Sequence, residues 1–198
     1  DYVDWNGGIS WDWSRAFESE IPKAFKSLLF TYLESVLVSD APRKGWKIPE
    51  TTLCFPWISR IFPKAKYIFW IRNPRDCIIG GHVTDDMNTF GIKYPETSNI
   101  REKRAYSWRY QYDLVKATAK PEHWIEVRLE DFVLKQDETL KRLEDFLGFK
   151  LAKIPVKPEA VGRWIKDDQD PETGTNYFDI FEPAMLEYGY EMPEKKGT

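Results

Sequence analysis

Three observations predict an α/β fold with a central parallel sheet flanked by helices. Two short apolar runs, "KAKYIFWI" and "HWIEVRLEDF", read as strands. The segments between and after them carry apolar residues at helical spacing. The resulting order of strand, helix, strand, helix is that of crossover units in a parallel sheet. At 198 residues, 42% of them hydrophobic and 31% charged, the chain suits one domain with a single sizeable core, expected over residues 1–198.

Taken in order, residues 1–19 ("DWNGGISWDW" within them) read as an ordered aromatic loop. Residues 20–38 place Phe25, Leu28, Leu29, Tyr32, Leu33 and Val36 at helical spacing, and "APRKG" ends that helix. "WKIPETT" follows as a short extended piece, then "LCFPWISRIF" as a short helix ending at Pro63. "KAKYIFWI" is continuously apolar, as a strand buried on both faces would be. A helix over roughly 74–82, a polar excursion over 84–99 and an amphipathic helix over 100–117 come next. After the second strand, "DETLKRLEDFLGF" reads as a helix with Asp137 as N-cap and Gly148 just past its end. The remainder is Pro-rich, with a short helix near "FEPAMLEYG", and the chain holds no internal repeat.

The net charge of −3 gives no general field for nucleic acid, so any polyanion must be met by a local cluster of Lys and Arg. Two cysteines in no CxxC spacing and two histidines argue against a disulfide framework and a metal centre. Apolar runs fall far short of the about 20 residues that span a bilayer, and no signal-peptide pattern is present, so a cytoplasmic protein is expected. The 16% aromatic content, with nine Trp, fits core packing first and flat ligands second. Trp5, Trp11 and Trp13 are the candidates for stacking on an acceptor.

The most informative stretch is "YIFWIRNPRDCIIGG", where an apolar run ends abruptly in Arg72, Asn73, Pro74, Arg75 and Asp76. Ligands in open α/β sheets sit at the carboxyl ends of strands. Asn73 suits the N-cap, Pro74 the first helical position, and Asp76 can complete a capping box. A helix N-terminus beside Arg72 favours an anion such as phosphate. Arg75 reads equally as a ligand group or a solvated first-turn residue.

In this order and spacing, "KYIFWIRNPRD", "WIEVRLEDF" with "TLKRLEDFLG", and "GRWIKDD" resemble the sulfotransferase family, in particular its bacterial members. The resemblance covers roughly residues 44–166. It implies a fold similar to the nucleotide kinases, transfer of a sulfuryl group from 3′-phosphoadenosine-5′-phosphosulfate to a hydroxyl or amine, and no metal. The alternative is a non-catalytic nucleotide- or ligand-binding module on the same scaffold. A small-molecule or glycan acceptor is implied, and a homodimer is permitted.

Residue by residue, the resemblance puts Arg72 on the 3′-phosphate, with Gly80 standing where many relatives carry a Ser. "GWKIPET" is similar to a Lys-x-Pro segment, which places Lys47 on the leaving-group side. Glu50 or His82 is then the general base, and each also reads as an ordinary surface or structural residue. In the second strand Arg128 is a nucleotide candidate that can simply pair with Glu130. In "GRWIKDD", Arg163 and Lys166 are candidates to close over phosphates and Trp164 to stack on adenine. The family's opening strand and phosphate loop match nothing in the first 40 residues, "NGGIS" included, and are expected upstream.

Overall fold

The computed structural model describes residues 2–167 and 177–191. The chain opens with an antiparallel hairpin, β1 (Asp4–Gly7) and β2 (Ser10–Asp12), where the sequence suggested a loop. Gly7 and Gly8 turn it with φ of 95° and 55°, values that only glycine adopts without strain. Helix α1 (Ser14–Glu18) follows. The helix expected over 20–38 is two pieces, α2 (Lys23–Tyr32) and α3 (Glu34–Leu37), joined at Leu33. Leu29 and Leu33 are buried against Ile58 of α4 (Phe55–Ile61), but Leu28 and Tyr32 face outward.

The α/β core is the parallel pair β3 (Tyr67–Ile71) and β4 (Trp124–Arg128), in register from Tyr67 opposite Trp124 to Ile71 opposite Arg128. Contrary to the expectation from its continuous apolar run, β3 is not buried on both faces. Ile71 is buried, whereas Ile68 and Trp70 are 40% and 42% exposed. An apolar run fixes strand propensity, but burial depends on what lies beside the strand. The second strand also ends earlier than expected. Leu129 to Leu134 form α7, so "LEDF" is helical.

Between the strands run α5 (Pro74–Cys77), cut to one turn before Gly80 and Gly81, and the long α6 (Ile100–Ala117). Helix α6 is the hub of the core. Tyr110 and Leu114 pack with Trp11, Leu53 and Met87, and Ala105 packs with Phe181 and Met185 of α9 (Phe178–Tyr188). Each such large apolar side chain, fully buried, contributes about 1.5–3 kcal/mol. Helix α8 (Gln136–Leu147) closes at Gly148 as expected, although Lys135, not Asp137, occupies its N-cap. Trp11 is buried, with its Nε1 donating to the Lys93 carbonyl and its ring against Tyr110, and so belongs to the core. No helix among the described residues is long and apolar enough to cross a membrane.

Candidate functional site

Strand β3 delivers Arg72 to its carboxyl end, and the next residues lock the corner. Asn73 Oδ1 accepts from the Arg75 amide at 3.0 Å, as an N-cap should. The Asn73 amide in turn donates to Glu130 Oε1 at 2.8 Å, tying this corner to the end of β4. Tyr190 donates to the other Glu130 oxygen at 3.0 Å. Glu130 is therefore a brace for the corner more than a partner of Arg128, whose Nε lies 4.0 Å from it.

Asp76 departs from the capping box that the sequence suggested. Its side chain is wholly buried and accepts from two distant amides, Gly162 at 2.9 Å and Trp164 at 3.0 Å. The segment 158–167 is thereby strapped across the corner. Arg163 Nη2 donates to the Asp76 carbonyl at 3.0 Å, and Arg72 Nη2 donates to the Ala160 carbonyl at 2.6 Å. Arg75 stacks its guanidinium 3.3 Å from the Trp164 ring centroid, and burial pulls its pKa down.

Lys47, Arg72, Gly80, His82 and Arg163 line one cavity of about 530 Å³ beside this corner. The sequence-predicted candidates Glu50, Arg75, Arg128, Trp164 and Lys166 are outside its lining. Glu50 sits in the 3₁₀ turn Pro49–Cys54, and Arg128 lies over the Tyr190 ring at 4.7 Å. A β-carbon at Gly80 would stand 3.9 Å from Arg163 Nη2, so that guanidinium faces the position where the family resemblance implies a Ser. Cys77 also borders the cavity, but burial, with the Asp76 and Glu130 charges, outweighs Arg72 and pushes its thiol up to about 12. That shift disfavours the thiolate at neutral pH.

The remaining wall is polar and, apart from His82, escaped the sequence reading. His82 Nδ1 and Thr84 Oγ1 are 2.8 Å apart. Gln111 Nε2 donates to Thr84 Oγ1 at 3.3 Å and to Ser107 Oγ at 3.0 Å, and Thr52 donates to Gln111 Oε1. Asp85 accepts from the His82 amide at 2.7 Å and from Arg104 Nε at 2.9 Å. Ser107, Gln111 and Arg104 recur along one side of α6, a period visible in the sequence but without a motif to mark it. Phe69, Trp70, Trp108 and Tyr112 add an aromatic side. The arrangement offers fixed cations for an anionic group next to a neutral hydrogen-bonding and aromatic wall.

Comparison with known proteins gives the family and the fold. The model of the sulfotransferase family matches residues 10–153. A Caenorhabditis briggsae protein, provisionally named a protein-tyrosine sulfotransferase, is 24% identical over 163 residues. That alignment covers 75% of this chain and 53% of the relative, so the chain spans about half the length of this curated relative. A solved sulfotransferase domain from the curacin biosynthetic pathway superposes with a TM-score of 0.62 at 18% identity, covering 85% of this chain and 69% of that domain.

Proposed function

The chain belongs to the sulfotransferase family, and from that premise we propose that its cavity serves sulfuryl transfer from 3′-phosphoadenosine-5′-phosphosulfate to an acceptor hydroxyl or amine. The observation that carries this reading is Arg72. It borders the cavity at the carboxyl end of β3, and its Nε is buried with no hydrogen-bond partner among the described residues. A buried charged donor without a partner is costly, and an anion would satisfy it.

In this proposal Arg72 and Arg163 hold the 3′-phosphate across Gly80, with Lys47 on the bridging oxygen. The acceptor oxygen or nitrogen attacks sulfur while the bond from sulfur to the 5′-phosphate oxygen breaks, and charge grows on that leaving oxygen. A cation at Lys47 stabilises it most in the transition state. The acceptor's proton must pass to a base. His82 is the better candidate, because it lines the cavity and Glu50 does not. Trp164, stacked on Arg75 just outside the cavity lining, is retained as the candidate adenine platform. Lys166 and Arg128 are retained as outer nucleotide contacts. The aromatic side formed by Phe69, Trp108 and Tyr112 suits a ring-bearing small-molecule or glycan acceptor.

The test is calorimetric titration with 3′,5′-adenosine bisphosphate, the product nucleotide. Arg72→Ala should weaken binding about tenfold or more, the value of a charged hydrogen bond, while the circular dichroism spectrum is retained. Equal binding by both forms would remove the phosphate corner from the proposal.

A further inference from the structure

Asp76 is an unusual use of a buried charge. A carboxylate taken fully out of water needs hydrogen bonds to compensate for lost hydration. Its own helix does not supply them, because Asn73 caps that helix instead. Asp76 Oδ1 takes the Trp164 amide, and Oδ2 takes the Gly162 amide with Arg72 Nη2 at 3.4 Å. Its carbonyl takes Arg163 Nη2. One residue thus touches both guanidinium groups of the cationic corner and the backbone that carries one of them.

Much of the strap itself is exposed. Ile165 is 68% exposed, and Arg163 is an exposed residue. Gly162 bends the strap at φ +72°, between the short turns Pro158–Ala160 and Arg163–Lys166. Beyond Asp76, its fastenings are Arg72 to the Ala160 carbonyl, the Arg75–Trp164 stack and an ion pair of 2.6 Å between Arg101 and Asp167. Among the described residues, the Asp76 amide bonds are the ones that bracket Arg163 directly, from Gly162 before it and Trp164 after it.

We propose that Asp76 is the positioning residue of the anion site, pinning the amides of Gly162 and Trp164 so that Arg163 stands beside Gly80 and Arg72. The claim rests on the phosphate-binding reading of the cavity. It assigns Asp76 no contact with substrate; its effect on the nucleotide passes chiefly through Arg163, since its contact with Arg72 is the longer one at 3.4 Å.

The experiment is a mutant cycle on 3′,5′-adenosine bisphosphate affinity, comparing the unaltered chain, Asp76→Asn, Arg163→Ala and the double variant, with amide hydrogen exchange on each. Each single change should weaken binding about tenfold, and Asp76→Asn should add little once Arg163 is gone. Exchange at the Gly162 and Trp164 amides should rise in Asp76→Asn and stay slow in Arg163→Ala. Losses that multiply in the double variant would overturn the positioning role alone, since they are what a general loosening of the corner gives. Retained protection of both amides in Asp76→Asn would overturn it as well. If Asp76→Asn does not fold, Gly162→Val displaces the strap from the other side, because valine resists positive φ and its β-carbon would meet Ile165 Cδ1 at 3.2 Å. It should reproduce the weakened binding and its dependence on Arg163, and unchanged affinity would contradict the claim. No nucleotide binding by the unaltered chain would instead overturn the reading of the site, and the positioning role with it.

Discussion

Arg72 and Arg104 both border the cavity, yet they are built for different work. Arg104 is spent on the protein, with Nε on Asp85 and Nη1 on the carbonyls of Ile78 and Ile79 at 3.0 and 3.1 Å. Arg72 shares one nitrogen between Asp76 and the Ala160 carbonyl, and its buried Nε has no partner among the described residues. The polar wall of Thr52, Thr84, Ser107 and Gln111 resembles Arg104 in this respect, since its members satisfy one another. Unused bonding capacity at the cavity wall is what separates Arg72 from Arg104.

Substitutions can break that contrast. Lys47 borders the cavity as an exposed residue, and its proposed work falls on charge that develops during reaction. Lys47→Ala should lower kcat about a hundredfold while changing nucleotide affinity far less, read from steady-state kinetics beside calorimetry. The reverse pattern would give Lys47 the ground-state binding role proposed for Arg72. Arg104→Ala should cost about 2 kcal/mol of stability in denaturant unfolding, through the acceptors it leaves unpaired, with bisphosphate affinity within about threefold of the unaltered chain. A large loss of affinity without loss of stability would erase the distinction between the two arginines. The smallest effect belongs to Gly80→Ser. The added β-carbon meets Arg163 at an ordinary 3.9 Å, so the hydroxyl has room. Affinity should stay equal or tighten by a few-fold, the value of one added hydrogen bond, and a sharp loss would show that Arg163 needs that space.

The corner was legible in the sequence because its causes are local. An apolar run of strand length, followed at once by Arg72, an Asn cap and Pro74, leaves few other structures possible. Helices α6 and α8 were legible for the same reason, since periodicity and an N-cap or a closing glycine act within a few residues. Membership of one cavity was less so. Lys47, His82 and Arg163 come together only through the fold, and nothing in the local sequence excludes Glu50 or Arg128. Asp76 shows the limit most clearly. Its position in a first helical turn reads as a cap, but its hydrogen bonds run to amides 86 and 88 residues away. The exposure of Ile68 and Trp70 was hidden in the same way, because a strand's propensity is its own and its burial belongs to its neighbours.

The most direct measurement compares 3′,5′-adenosine bisphosphate with adenosine 5′-monophosphate on the unaltered chain and on Arg72→Ala, by calorimetry at one salt concentration. The bisphosphate should bind the unaltered chain at least about tenfold more tightly than the monophosphate, and Arg72→Ala should abolish most of that preference. Equal affinity for the two nucleotides on the unaltered chain, or a preference that survives without Arg72, would contradict the assignment of the corner to a 3′-phosphate.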